Sequence, residues 1–301
     1  MPPRFIGFEN SNRFRFPYNR PEYMVSTDTT TPAWDENLLK NPHAVSDKRT
    51  RVQRMFAAIA PSYDLNNRLH SLWMDQRWRR KAVKLAGLHL NDAITDVACG
   101  TGDLTIQFMF EMTRLSEIEG ITLRPSQVLG IDFTFEMLPV ARKKTLRQIN
   151  RGRHWDQEID AKRDGIRYVN GDAQSLPLPD QTTDVVSIAF GIRNVADPAA
   201  AIREFHRVLR PGGRLIILEF SLPTQPVLRG LYNFYFRKIL PRTATLISGD
   251  KTGAYKYLPE SVNTFIGREQ MTQMMRDAGF DRVEQFAMTF GVCVCYRGIK
   301  A

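Results

Sequence analysis

An apolar segment, Ile94-Thr95-Asp96-Val97-Ala98, runs into Cys99-Gly100-Thr101-Gly102-Asp103, so a glycine turn is bracketed by two carboxylates. Those carboxylates bear on the charge of any ligand held there. A pyrophosphate beside Asp96 and Asp103 would meet like charge in a partly dry cleft, whereas an ammonium or a sulfonium would be attracted. S-adenosylmethionine carries both cationic groups. A dinucleotide fits less well on two further counts. Thr105 stands where G-x-G-x-x-G needs its third small residue, and the next strand-end carboxylate, Asp132, lies about 30 residues on rather than about 20. Asp96, Gly100 and Gly102 are therefore expected at a methyl-donor site, with NAD as the competing ligand.

Asp132 closes the segment Val128-Leu129-Gly130-Ile131-Asp132. One carboxylate there can accept from both vicinal hydroxyls of a ribose, each charge-assisted bond contributing about 1.5–3 kcal/mol. Capping of a helix near Phe133 is the alternative. Asp172-Ala173 follows a third apolar segment, where Asp172 would accept from an adenine amino group and the small Ala173 would let the ring approach the backbone; a plain turn aspartate is the alternative. Because the three positions recur at successive strand ends, the set carries more weight than any member.

The elements that must position these residues alternate from residue 93 onward. Strands are expected at 93–98, 128–132, 166–170, 184–190, 214–220, 282–288 and 292–297, and helices at 103–115, 135–149, 198–209 and 268–278. This alternation predicts a parallel sheet covered on both faces. Asp197-Pro198 is a helix start, and Arg210-Pro211-Gly212-Gly213 is a stop. Only Thr289-Phe290-Gly291 separates the last two strands, which predicts an antiparallel hairpin at one sheet position. The expected fold is α/β, a Rossmann-like class I S-adenosylmethionine-dependent methyltransferase with a seven-stranded, mostly parallel sheet and a C-terminal antiparallel hairpin. Ligands of such sheets bind beyond the carboxyl ends of the strands, near the switch in strand order. The charged, aperiodic stretch 150–165 reads as a surface loop.

At 301 residues and 43% hydrophobic content, one domain spanning 46–301 is expected. Residues 1–45 lack helical periodicity and read as a disordered extension, or as an early start ahead of Met24. Glu9, Glu22, Asp28, Asp35 and Glu36 argue against a mitochondrial presequence, and no apolar core suggests a secretory signal. No stretch reaches the roughly 18 consecutive apolar residues of a membrane span. Only three cysteines occur, Cys99, Cys293 and Cys295, so a disulfide framework is not expected and a cytoplasmic location fits. The five histidines are scattered singly, and no metal is expected. The net charge of +10 points to an anionic partner, either nucleic acid or a membrane surface. Nucleic acid is the weaker choice, since the basic residues are spread out and no aromatic-basic RNA motif or base-flipping motif is present.

Three further motifs, Tyr63-Asp64-Leu65-Asn66-Asn67 with Ser71 and Trp78, Phe190-Gly191-Ile192-Arg193-Asn194-Val195, and Arg207-Val208-Leu209-Arg210-Pro211-Gly212-Gly213-Arg214-Leu215, resemble the ubiquinone/menaquinone biosynthesis C-methyltransferase family. The resemblance covers roughly residues 47–300. It implies S-adenosylmethionine contacts from Thr101, Asp132, Asp172 and Ala173, and places Ala189 where the family usually has a serine. Asn66, His70 and Asp75 also depart from the usual residues, which are Met, an aliphatic side chain and His.

The reaction implied is methyl transfer to a ring carbon of a polyprenylated hydroquinone. A phenol ring becomes a carbon nucleophile when a neighbouring hydroxyl loses its proton, so the site must favour a phenolate and align the ring carbon. Arg193 is the expected stabiliser of the oxyanion, or the group that orients a proton-accepting water, with Tyr63 as its partner. A clamp on loop carbonyls is the alternative for Arg193, and a packed aromatic for Tyr63. Asn67, Phe190, Asn194, Tyr255 and Tyr257 are the expected quinol-side residues, with 46–90 as a helical lid and 223–262 as an acceptor-side insertion. In that insertion Leu228, Leu231, Tyr232, Phe234, Tyr235 and Phe236 alternate with Arg229, Arg237, Lys238 and Arg242, a pattern suited to a prenyl tail and to anionic headgroups at the inner membrane face, or to an ordinary core helix. A homodimer is a further expectation. Demethylmenaquinol is favoured over a benzoquinol because of Asp75 and the lack of a mitochondrial presequence; other lipid methyltransferases and an RNA-binding relative are the remaining alternatives.

Overall fold

The computed structural model describes residues 32–120, 127–151, 166–250 and 252–301. Three helices lead: α1 (Lys48–Ile59), α2 (Tyr63–His70) and α3 (Met74–Ala86). The alternating region follows as β1 (Ile94–Val97), α4 (Asp103–Glu119), β2 (Val128–Asp132), α5 (Met137–Arg151), β3 (Arg167–Asn170), β4 (Thr183–Ala189), α6 (Pro198–Val208) and β5 (Leu209–Phe220). Next come α7 (Pro226–Phe234), a π-helical turn at Tyr235–Ile239, α8 (Leu240–Ser248), α9 (Ala254–Asn263) and α10 (Arg268–Asp277), then β6 (Phe280–Met288) and β7 (Cys293–Lys300).

The strands form one seven-stranded sheet in the order β3-β2-β1-β4-β5-β7-β6. β1 pairs in parallel with both β2 and β4, so the strand order reverses between them and opens a crevice at their carboxyl ends. All four residues of β1 are buried, as are Val185, Val186, Ile188 and Leu215 through Leu218. Burial on both faces marks a sheet covered on both sides, with Thr95, Asp96 and Ser187 among the buried polar exceptions in β1 and β4. β7 is antiparallel to β5 and to β6. The hairpin therefore takes two sheet positions rather than one, with the last strand inside and β6 at the edge. Asp197 caps α6 by accepting from Ala200 N at 3.0 Å, and Pro198 opens the helix. β5 is assigned from Leu209, earlier than the expected 214, with a register irregularity where Thr183 faces Leu209 and Val185 faces Arg214. The expected loop at 150–165 lies outside the described residues beyond 151.

A second, smaller core joins α1 to the segment after β5 through Met55, Ile59, Tyr232, Phe236, Leu240 and Tyr257. It also corrects the expected extension. Ala33 and Trp34 are buried, Trp34 stacks on Tyr257 at 4.4 Å, and His43 Nε2 lies 2.8 Å from the Ser261 carbonyl. Residues 32–45 thus pack as part of the domain, because a tryptophan and its neighbours bury enough apolar area to offset the ordering of an aperiodic strand of chain. The remainder of the expected extension, 1–31, lies outside the described residues. Among the described residues no helix is long and apolar enough to cross a membrane.

Candidate active site

A cavity with about 760 Å³ of empty space sits at the carboxyl ends of the central strands. Ala98, Gly100, Asp132, Asp172, Ala173 and Ala189 line it. Ala98 and Phe190 both hold positive φ, 50° and 56°, conformations that cost non-glycine residues free energy and cluster at functional sites. A Cβ on Gly191 would come within 2.7 Å of Ala98 Cβ, so the two strand ends approach this closely only with glycine there.

Asp132 accepts from Gly100 N and from Thr134 N, each at 2.7 Å. Burial pushes its carboxyl up to about 6 against those two bonds. No cation is paired with it among the described residues, and it lines the cavity. A buried carboxylate lacking a counter-ion is satisfied by hydroxyl donors, and the vicinal diol of a ribose supplies two. The residues present therefore fit S-adenosylmethionine at this end. Asp172 lies beside Ala173, with Oδ1 accepting from Gln174 N at 3.0 Å and Oδ2 paired with Arg49 at 2.9 Å. The Arg49 guanidinium also lies 4.4 Å over the Phe133 ring, so α1 closes the outer side of the pocket.

Other residues of the glycine turn act from behind the wall. Asp96 is buried and accepts from Thr105 Oγ1 at 2.6 Å and from Ser187 Oγ at 2.7 Å, which ties β1 to α4 and β4. Burial pushes its carboxyl up to about 6 despite those bonds. Thr101 donates to Asp64 at 2.5 Å, and a Cβ on Gly102 would collide with the Tyr168 hydroxyl. Asp103 is not free to meet a ligand ammonium: Lys144 Nζ reaches it at 2.6 Å and Arg68 Nη2 at 3.0 Å. Burial opposes its charge, yet Arg79 and Lys144 hold its carboxyl below the usual range. Lys144 also binds Asp64 at 2.6 Å, so α2, α4 and α5 are latched together over the turn.

The larger cavity, with about 1430 Å³ of empty space, adjoins the first and shares Phe56, Tyr63 and Phe190 with it. Tyr63, Asn67, Arg193, Tyr255 and Tyr257 line it, whereas Asn194 does not. Asn194 lines the smaller cavity instead, accepting from the Tyr257 hydroxyl at 2.9 Å and donating to the Phe190 carbonyl at 3.2 Å. Arg193 Nη1 donates to Glu219 Oε1 at 2.5 Å and to the Phe190 carbonyl at 2.8 Å, and its Nε donates to Ser261 Oγ at 3.3 Å. The guanidinium thus clamps the loop after β4 and still presents a cation to the cavity. Burial pushes the Tyr63 phenol up against the pull of Arg79, so Tyr63 stays neutral and can donate.

Four residues at the larger cavity had no site role in the sequence reading. Glu219, near the end of β5, is one of them. Tyr232 was grouped with apolar residues, yet its buried hydroxyl has no hydrogen-bond partner among the described residues and it lines the larger cavity. Arg79 and Asp75 also face that cavity, and their spacing of one helical turn was the available signal. Among the described residues no group of three potential metal ligands comes together.

The sheet order and the pocket at its switch point define a class I S-adenosylmethionine-dependent methyltransferase. The chain belongs to the ubiE/COQ5 methyltransferase family, whose profile matches residues 44–300. It is 41% identical over 258 residues to a ubiquinone/menaquinone biosynthesis C-methyltransferase of Geobacter sp. strain M21, covering 86% of this chain and all of the relative. It is 42% identical over 254 residues to a demethylmenaquinone methyltransferase of Deinococcus radiodurans, covering 84% and 94%. Among solved structures, a chain from the Haloferax volcanii complex of the Trm112 methyltransferase activator with a methyltransferase shares the fold. Its TM-score is 0.50 at 18% identity, over 81% of this chain and 96% of that one.

Proposed function

We propose that this enzyme methylates a ring carbon of demethylmenaquinol, with S-adenosylmethionine supplying the methyl group as an electrophile. The observation that carries the reading is the wall common to the two cavities: Tyr63 and Phe190 border both the Asp132 pocket and the larger, mostly apolar chamber. A ring in the chamber would lie against the donor at that wall. Arg193 stabilises the oxyanion left when the ring hydroxyl passes its proton to a water beside the guanidinium, and Tyr63 donates to the same oxygen. Bound in the Asp132 pocket, S-adenosylmethionine would supply an electrophilic methyl group to the ring carbon, the electron pair of the broken S–methyl bond staying with the donor. The ring proton would leave to solvent, and the oxyanion would take one proton back. The Tyr232 hydroxyl, without a hydrogen-bond partner among the described residues, is an additional donor on the Arg193 side.

Names of similar proteins support both quinone pathways, and the naphthoquinol is preferred here on Asp75 and on the Deinococcus and Thermus relatives named demethylmenaquinone methyltransferase. The test is direct. Purified enzyme, S-adenosylmethionine and short-chain demethylmenaquinol should yield menaquinol by mass spectrometry, and cells lacking the protein should accumulate demethylmenaquinone. Methylation of the corresponding benzoquinol alone would move the assignment to the ubiquinone pathway, and an unaltered quinone pool would refute both.

A further inference from the structure

Two buried ion pairs face the larger cavity, and the chemistry above employs one of them. The second is Arg79 with Asp75, 5% and 3% exposed and joined from Nη1 to Oδ2 at 2.8 Å. Asp75 also accepts from Ser71 Oγ and from Gln76 Nε2, each at 2.9 Å, which fixes the carboxylate. The turn that delivers the pair to the cavity is strained, since Leu72 and Trp73 hold φ of 51° and 59°. Burying an ion pair is a poor way to stabilise a fold, because apolar side chains of similar volume do as well or better. The surrounding wall is hydrocarbon-rich, with Trp78, Phe190, Phe220, Phe236 and Leu240. Arg79 lies 5.0 Å from the Phe190 ring and Arg193 lies 5.3 Å from the Phe220 ring, and these two rings are 4.6 Å apart. Two separate cations therefore bracket one aromatic pair.

A hydroquinone carries two oxygens on opposite sides of its ring. Only one is ionised in the reaction, and the other would be buried without a partner, at a cost in binding, unless the cavity supplies one. We propose that the Asp75–Arg79 pair binds the second ring hydroxyl, the one meta to the acceptor carbon, and so fixes which edge of the ring meets the methyl group. A ring held by Arg193 alone can turn about that single anchor, whereas a ring held at both oxygens cannot. Gln76 also donates to Asp103 Oδ2 at 3.2 Å, which sets the anchor relative to the glycine turn. The inference rests on the quinol reading above.

The test compares a short-chain demethylmenaquinol with its analogue lacking the meta hydroxyl, as competing ligands of the full-length enzyme saturated with donor product. Wild type is expected to prefer the diol by about 10- to 100-fold. Arg79→Met should bring the two ligands within about threefold of each other, and Arg79→Lys should restore an intermediate preference, with donor affinity unchanged in both. Asp75→Asn, which keeps the volume and loosens Arg79, should raise KM for the quinol several-fold with a smaller change in kcat. It serves as the readout if Arg79→Met does not fold. An unchanged preference in Arg79→Met, or an unchanged preference in Arg79→Lys together with an unchanged KM in Asp75→Asn, overturns the inference. A wild-type enzyme that binds neither ligand overturns the quinol reading and this inference with it, a result distinct from equal binding by the variants.

Discussion

Arg193 and Glu219 meet at 2.5 Å beneath the larger cavity with 4% and 2% of the two residues exposed, so the cation facing the acceptor brings its own counter-ion. Such a pair can hold a geometry while leaving the cavity near neutral, which suits an apolar substrate that becomes anionic only during reaction. It also gives Arg193 two separable jobs, clamping the Phe190 carbonyl and stabilising an oxyanion.

Those jobs separate by mutation. Arg193→Ala leaves Glu219 buried without a partner and should cost about 3–5 kcal/mol of stability. Turnover should fall by about 100-fold or more, while donor affinity by calorimetry stays within about threefold. Replacing both residues, Arg193→Met with Glu219→Leu, should recover much of the unfolding midpoint and none of the turnover. Recovered turnover in the double variant would leave Arg193 as a clamp alone.

Asp132 governs the donor. Asp132→Asn should weaken S-adenosylmethionine binding by about 10- to 100-fold, the equivalent of one charge-assisted bond. Its carboxyl is raised to about 6 in the fold from an ordinary value near 3.8, so the folded state binds more protons between those values. The stability contribution is therefore complete below about pH 4 and is lost as pH rises through about 6. Wild type should thus gain stability relative to Asp132→Asn as pH is lowered from 7.5 to 4.5, as measured by urea unfolding. Donor affinity should move the opposite way, falling in wild type as the carboxylate protonates and staying flat in the variant. A pH profile shared by both proteins would remove Asp132 as the titrating group.

Much of this site was legible because strand ends are legible. Glycine after an apolar run, followed by aspartates at the next two strand ends, located Gly100, Asp132 and Asp172 on one side of the sheet. The direction of a side chain leaving a turn was not legible. Asp96 lies in the same run as Gly100 yet points into the sheet toward Thr105 and Ser187, and Asp103 is taken by Lys144, 41 residues away. The insertion of β7 between β5 and β6 was hidden for a related reason, since a short hairpin connection fixes pairing within the hairpin and says nothing of which strand faces the rest of the sheet. Trp34 packing on Tyr257 joins segments with no shared periodicity.

Ala189 ends β4 on the wall of the donor pocket, at the position where the family resemblance implies a serine. Ala189→Ser should therefore tighten donor binding about threefold, near the lower end of what one neutral hydrogen bond contributes. Calorimetric titration with S-adenosylmethionine measures it. Unchanged or weaker binding would mean that the backbone at 189 already serves the donor without a hydroxyl.

If the acceptor is a prenylated quinol, the enzyme is predicted to meet it at a membrane surface, and α7 is the face predicted to dock. Val227, Leu231 and Phe234 fall at helical spacing on one side of the helix and are 75%, 63% and 61% exposed, while Tyr232 and Phe236 turn inward. Arg229, Arg237, Lys238 and Arg242 are exposed nearby, so the apolar stripe has a basic border suited to anionic headgroups. Leu231→Glu with Phe234→Glu should abolish co-sedimentation with vesicles of mixed phosphatidylcholine and phosphatidylglycerol. It should lower turnover about tenfold or more on vesicle-embedded quinol, since each large apolar side chain contributes about 1.5–3 kcal/mol when buried. Turnover on a soluble short-chain quinol should be unchanged, because neither residue lines the cavity. Raising salt should weaken wild-type binding further if the basic border contributes. A wild-type enzyme that stays in the supernatant with anionic vesicles at low salt would remove α7 as a docking face.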